Sequence, residues 1–277
     1  MVFDEYSESH QEPYIDQYQE DAKPEILDII YQHNVVTDRE LKVRLEKKYF
    51  PWVTGQALES LVSDGLIKKD GFPGRPPRMG TPRNFYLNPE FDYWNNLGLI
   101  GRKRELTANF NALLTHSHPA GLYAETIFER AFISLGFEIK KRNASEFRGK
   151  KVVGVKGKKP PDIDFILKRG KKYYGVNIKN WIKFEKETIK EIILKIDVAK
   201  QLDVIPVICA RYVDGDTIFK EIVSEGGFCY RYEQLLLPPV FRSLAETVIR
   251  YLGYPILVVD RLPSYKLEHL KSKVFKI

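Results

Sequence analysis

The chain has 277 residues, of which 43% are hydrophobic and 29% charged, and its formal net charge is +7. That length permits two ordinary domains with packed cores, no apolar run approaches the roughly 18 residues of a membrane span, and the N-terminus does not read as a signal peptide. Only two cysteines occur, Cys209 and Cys229; no Cys/His cluster has zinc-ligand spacing, both thiols read as reduced core residues with a disulfide as the alternative, and the chain reads as cytoplasmic.

Charge is unevenly spread. Residues 1–22 hold seven acids and no Lys or Arg, which leaves +14 on the remainder. This stretch reads as an acidic disordered tail. Residues 140–159 hold nine basic residues against one acid, Glu146. So basic a body suits a polyanion, with Lys150, Lys151, Lys158 and Lys159 as candidate DNA contacts; solubility is the plainer explanation.

Residues 23–92 form a unit of their own. Pro24 to Tyr31 predicts a helix with proline in its first turn. Thr37 and Glu40 predict a capping box opening a second helix. Thr54 to Gly65 predicts a third helix, running into a strand at Leu66 to Lys69. A basic Pro/Gly-rich excursion, Phe72 to Arg83, then leads to a return strand, Asn84 to Leu87. Three helices, a two-stranded wing and the run LVSDGLIKK at Leu61 to Lys69 resemble the winged helix-turn-helix family. The resemblance implies a third helix in the DNA major groove, with Thr54, Gln56, Glu59, Ser60 and Ser63 towards the bases. It implies phosphate contacts from Lys68, Arg75, Arg78 and Arg83. A module that binds protein partners is the competing reading.

Residues 93–118 predict a linker helix, in which Arg102-Lys103-Arg104 reads as a phosphate contact or a solvated turn. His116 and His118 read as loop histidines without a metal role. Gly121 to Leu135 predicts an amphipathic helix with Leu122, Ile127, Phe128, Phe132 and Leu135 towards the core, and Glu125 and Glu129 one turn apart on one face. Two apolar runs, Pro161 to Leu167 and Tyr174 to Asn180, flank Lys168-Arg169-Gly170-Lys171-Lys172 and predict a β-hairpin. Alternation puts Asp162, Asp164 and Ile166 on one side of the first strand, and Asn177 and Lys179 on one side of the second. Antiparallel pairing then gathers Asp164, Asn177 and Lys179 at one end of the sheet. Oxygen donors beside a lysine suit a hard divalent cation and a phosphate oxyanion; solvated surface charge is the plain alternative. Further on, 185–202 predicts a lysine-rich amphipathic helix, 205–210 a buried strand, 215–225 a helix, 227–232 a strand and 238–253 a helix. Residues 254–277 show no readable element.

Glu125 on its helix, Pro161-Asp162 and Asp164 on the first strand, and Asn177-Ile178-Lys179 on the second resemble the PD-(D/E)xK nuclease superfamily, the restriction endonuclease-like fold, over roughly residues 119–235. The resemblance implies Mg2+ (or Mn2+) held by Asp164, with Asp162 as second choice, and by Glu125 in preference to Glu129. An Asn177 oxygen would complete the shell, and Lys179 would orient the attacking water or stabilise the transition state. Lys200 or Gln201 on the following helix would lend a polar group. Asn177 stands where the family carries an acid, and an amide coordinates without adding negative charge. The expected fold is α/β (α+β): a winged helix domain, then a restriction endonuclease-like domain (119–277) with a central mixed β-sheet flanked by helices. The expected function is a magnesium-dependent DNA nuclease, without an organic cofactor, whose homodimer would cut both strands. The alternatives are a catalytically impaired DNA- or partner-binding scaffold and a winged-helix transcription regulator.

Overall fold

The computed structural model describes residues 12–71, 84–91, 97–115, 119–154, 160–182, 186–213, 220 and 222–274. The chain divides into two units, Met1–Ala112 with Arg250–Tyr254, and Leu113–Ile249 with Pro255–Ile277.

The first unit contains α1 (Glu12–His33), β1 (Val35–Thr37), α2 (Asp38–Leu45), α3 (Pro51–Ser63), β2 (Lys68–Gly71), β3 (Asn84–Leu87) and most of α4 (Leu97–Thr115). Its strands form an antiparallel sheet in the order β1-β3-β2. Ala22, Ile26 and Ile30, spaced by four, are fully buried and share a core with Leu41, Leu58 and Leu61. That stripe explains a difference from the sequence reading. The helix expected to open at Pro24 begins at Glu12, with Pro24 in its interior. An interior proline costs a helix about 3 kcal/mol, and the buried stripe, which reaches back to Ala22, offsets it. Residues 12–22 are therefore helical, not a disordered tail.

Thr37 caps α2 as expected, its Oγ1 accepting from the Glu40 amide at 3.2 Å. The reciprocal half forms too: the buried Glu40 carboxylate accepts from the Thr37 amide, and it also accepts from Lys103 Nζ at 2.9 Å. Lys103, 3% exposed, is thus neither a phosphate contact nor part of a solvated turn. Its neighbour Arg102 donates to the Tyr251 hydroxyl at 2.7 Å.

The second unit contains α5 (Pro119–Ser134), β4 (Glu138–Ala144), β5 (Glu146–Phe147), β6 (Lys150–Lys151), β7 (Ile163–Arg169), β8 (Lys172–Lys179), α6 (Lys186–Leu202), β9 (Ile205–Ala210), β10 (Phe228–Arg231), β11 (Leu235–Leu237), α7 (Arg242–Leu252, its last turn in the first unit), β12 (Ile256–Val258) and α8 (Ser264–Val274). Five strands form a central sheet in the order β10-β9-β8-β7-β4. The β4–β7 and β7–β8 pairs are antiparallel, β8–β9 and β9–β10 parallel. The molecule is therefore mixed α/β, with a central mixed sheet flanked by helices.

Period-two alternation splits the core of this unit. Phe165, Leu167, Val176, Ile178, Val207 and Cys209 pack with Phe128 and Phe132 of α5. Ile166, Ile208 and Ala210 instead face the layer that holds Ile192, Ile196 and Ala199 of α6. Gly175 is required where that layer comes closest: a Cβ there would stand 2.7 Å from both Ile163 Cδ1 and Val204 Cγ2. Leu122, expected in the α5 stripe, is 58% exposed. The other stripe residues, Ile127, Phe128, Phe132 and Leu135, do pack in the core. Residues 254–277, unreadable in the sequence, supply β12, which pairs parallel with β11, and α8, whose Leu270 enters the Phe128 cluster. The expected helix at 215–225 lies mostly outside the described residues. Cys209 and Cys229 are buried and unpaired, and burial raises both thiols, Cys229 to about 12, so they are inert core residues.

Candidate active site

At one end of β7 and β8 the hairpin stops pairing, and polar side chains replace the ladder. The last paired residues are Phe165 and Val176. Beyond them Asp164 Oδ2 accepts from the Ile178 amide at 2.6 Å, filling the donor that the partner strand no longer satisfies. Ile163 joins the α6-side cluster although Phe165 and Leu167 lie on the α5 side, so alternation breaks at the same point. The irregularity aims Asp164 along the strand end.

Glu125 of α5 meets Asp164 there. Its carboxyl is pushed up to about 7, first by burial and then by the negative charge of Asp164; Asp162 adds to this, while Lys179 and Lys195 pull the other way. Burial also raises Asp164, opposed by the Ile178 amide, Lys179 and Lys195. Glu125 lies with Asp164, whereas Glu129 is bound to Arg142 of β4. Asp164 takes the strand-end position, while Asp162, just before β7, accepts from Lys195 Nζ through its carbonyl at 2.5 Å and its carboxylate at 3.3 Å.

Helix α6 contributes more than the sequence suggested. Lys179 Nζ is ion-paired with Glu191 and stands 5.4 Å from the Trp181 ring centroid. Lys195, one turn after Glu191, holds Asp162. The expected helix residues, Lys200 and Gln201, are elsewhere: Lys200 bonds Glu225 at 3.0 Å, and the Gln201 side-chain oxygen accepts from the Val153 amide at 2.8 Å. The cause is direction. From the Lys179 end, α6 leads to β9, whose first residue Ile205 pairs with Tyr174, so its last turn lies towards the other end of β8. Glu191 and Lys195 were findable as an i, i+4 acid–base pair flanking Ile192 and Ile196.

Asn177 is the exception. It lies on β8 opposite Ile208 with no exposed surface, and neither its Oδ1 nor its Nδ2 has a hydrogen-bond partner among the described residues. A sealed, uncharged amide is a poor substitute for the acid expected there.

Among the described residues no three His, Cys, Asp or Glu side chains are placed to hold a metal ion. The pair Glu125–Asp164 is still suited to Mg2+. That cation keeps several waters and needs only one or two carboxylates besides substrate oxygens. Burial, and after it the charge of Asp164, raises Glu125 to about 7, and a divalent charge would offset both.

In the first unit, the exposed side of α3 carries Gln56, Glu59, Ser60 and Ser63, which with Trp52 and Lys42 line a groove of about 620 Å3. Thr54 does not belong to it. The helix begins at Pro51, three residues earlier than expected, so Thr54 falls on the buried side, its hydroxyl donating to the Phe50 carbonyl at 3.4 Å. Glu59 accepts from Lys69 at 2.7 Å and from the Tyr86 hydroxyl at 3.1 Å, and Lys68 donates to the Pro89 carbonyl at 2.7 Å. In the second unit Lys150 pairs with Asp203 at 3.0 Å and Lys151 with Glu146 at 3.7 Å. Arg75, Arg78, Arg83, Lys158, Lys159, His116 and His118 lie outside the described residues.

Compared with protein-family models, curated proteins and solved structures, the chain matches none. The site therefore stands on its own geometry. No helix among the described residues is long and apolar enough to cross a membrane.

Proposed function

We propose that the protein is a metal-dependent DNA nuclease: a restriction endonuclease-like domain hydrolyses a phosphodiester with Mg2+ or Mn2+, and a winged helix domain docks it on DNA. The observation that carries this reading is the convergence of Glu125 and Asp164 with Lys179 at the open end of the β7–β8 hairpin. When bound, the cation would lower the pKa of a water and polarise the phosphate. Asp164 and Glu125 would hold it, Asp164 being oriented by the Ile178 amide. Lys179 would stabilise charge developing on the phosphate. Glu191, ion-paired with Lys179, supplies beside the lysine the negative charge that Asn177 lacks. Lys195 fixes the Pro161-Asp162 turn that leads into β7.

One observation favours a second reading, a DNA-binding scaffold with an impaired site: Asn177 is buried and adds no charge. A single experiment separates the two. The chain is incubated with plasmid, single-stranded and branched DNA, with and without Mg2+ or Mn2+. Cutting that needs metal and falls about 100-fold or more in both Asp164→Ala and Lys179→Ala is the outcome the nuclease reading predicts. Tight binding with no cutting under any metal supports the scaffold.

A further inference from the structure

Two asparagines lie three residues apart at this end of β8 and differ completely. Asn177 has no hydrogen-bond partner among the described residues, whereas Asn180 uses its whole capacity. Its Nδ2 donates to the carbonyls of Ala120 and Leu236, both at 2.9 Å. Its Oδ1 lies 3.0 Å from the Leu236 amide and 3.0 Å from the Tyr232 hydroxyl. A carboxamide has two donors and two acceptor lone pairs, so nothing is left unmet. Tyr232, fully buried, also places its hydroxyl 3.0 Å from the Lys179 carbonyl.

The partners matter more than their number. Asn180 directly follows Lys179. Ala120 lies in the first turn of α5, five residues before Glu125, and Leu236 is the middle residue of β11. One amide thus joins the strand bearing Lys179 to the helix bearing Glu125. Arg211 secures the segment that follows: 1% exposed, it donates to the carbonyls of Trp181 and Ile182, the latter at 2.8 Å, while its own amide donates to the Lys179 carbonyl at 2.9 Å. An apolar side chain in place of Asn180 would strand the Leu236 carbonyl and amide in the interior, while the Ala120 carbonyl would keep only its partner within α5.

We infer that Asn180 is a positioning residue: its carboxamide locks the first turn of α5 to the end of β8 and so fixes Glu125 relative to Asp164 and Lys179. The clamp itself stands on the hydrogen bonds alone; its bearing on metal and DNA rests on the reading of the site proposed above.

The test uses the full chain, wild type against Asn180→Ala and the milder Asn180→Ser, which returns one hydroxyl. Three quantities are read: amide hydrogen exchange across residues 120–125, Mn2+ affinity by electron paramagnetic resonance, and kcat and KM for DNA cutting. The clamp predicts exchange at least 10-fold faster in this turn, with β9 unchanged, and Mn2+ binding weakened about 10-fold. It also predicts that kcat falls while KM for DNA holds, and that Asn180→Ser lies between the two. Should Asn180→Ala fail to fold, Asn180→Ser carries the same comparison. Unchanged exchange in residues 120–125 would overturn the inference. Wild type that neither binds Mn2+ nor cuts DNA would instead overturn the nuclease reading, and exchange would still decide the clamp.

Discussion

A carboxyl raised to about 7 makes a statement about stability as well as chemistry. Glu125 is held near Asp164 in a half-buried place, so the folded chain binds its proton more tightly than the unfolded chain does. The sign follows from linkage. The contribution is favourable below the ordinary carboxylate range and is lost as pH rises through about 7. Glu125→Gln removes the ionisation but keeps the shape. The variant should match wild type at about pH 4, where Glu125 is mostly neutral folded or unfolded, and exceed it at pH 8.5 by about 1–2 kcal/mol, a value discounted for partial exposure. Thermal melts at the two pH values, without metal, check this; an equal shift at both would mean that neither burial nor Asp164 raises Glu125. The same pair shows what the sequence allowed. Asp164 was legible as part of a hairpin, a local signal, but the break in alternation beside it was not. The sequence already favoured Glu125 over Glu129; what it did not show is the bond of Glu129 to Arg142, thirteen residues on and in another element.

Elements were legible in proportion to how local their causes are. The β7–β8 hairpin, β9 and α2 were readable because a glycine turn, a continuous apolar run and a Thr cap act within a few residues. β12 was not, since three residues become a strand only by pairing with β11. The α6 contribution was misplaced because its register over the sheet is tertiary. The described structure also redistributes the expected basic surface. Lys140, Lys141, Arg142, Lys150 and Lys151 each have an acidic partner. Where β7 meets β8 the run 168–172 carries four cations; Lys168 stands opposite Glu138 of β4, and Lys171 lies in the turn, with Arg148 stacked 5.0 Å above Tyr173. Cations already neutralised release few counterions on binding. Changing both Lys168 and Lys171 to Gln should therefore lower the slope of log affinity against log salt by about 1 to 2 for duplex DNA, Lys171 contributing the larger part. The double change at Lys150 and Lys151 should lower it by less than about 1. Fluorescence anisotropy titrations from 50 to 300 mM salt measure both, and equal slopes would count against the 168–172 run as the proposed contact.

At the scale of the whole molecule, charge is the property that composition fixes most directly, and the fold leaves it asymmetric. Seven of the chain's acids fall in its first 22 residues, so the rest carries +14. Three of them, Asp4, Glu5 and Glu8, precede α1, and their removal raises the formal net charge from +7 to +10. Polyanion binding responds to that total at low ionic strength, because the Debye length is about 14 Å at 50 mM and shrinks to about 6 Å at 300 mM. A chain starting at Glu12 keeps α1, and with it the stripe Ala22, Ile26 and Ile30, so its melting temperature should not change. Its affinity for a duplex should rise by about threefold or more at 50 mM salt, chiefly through faster association, and the gain should vanish by 300 mM. Stopped-flow association and equilibrium anisotropy on the same two chains check both parts. A gain that persisted at 300 mM would instead place residues 1–11 in short-range competition with DNA for one contact surface, since screening would have removed any effect acting through the field alone.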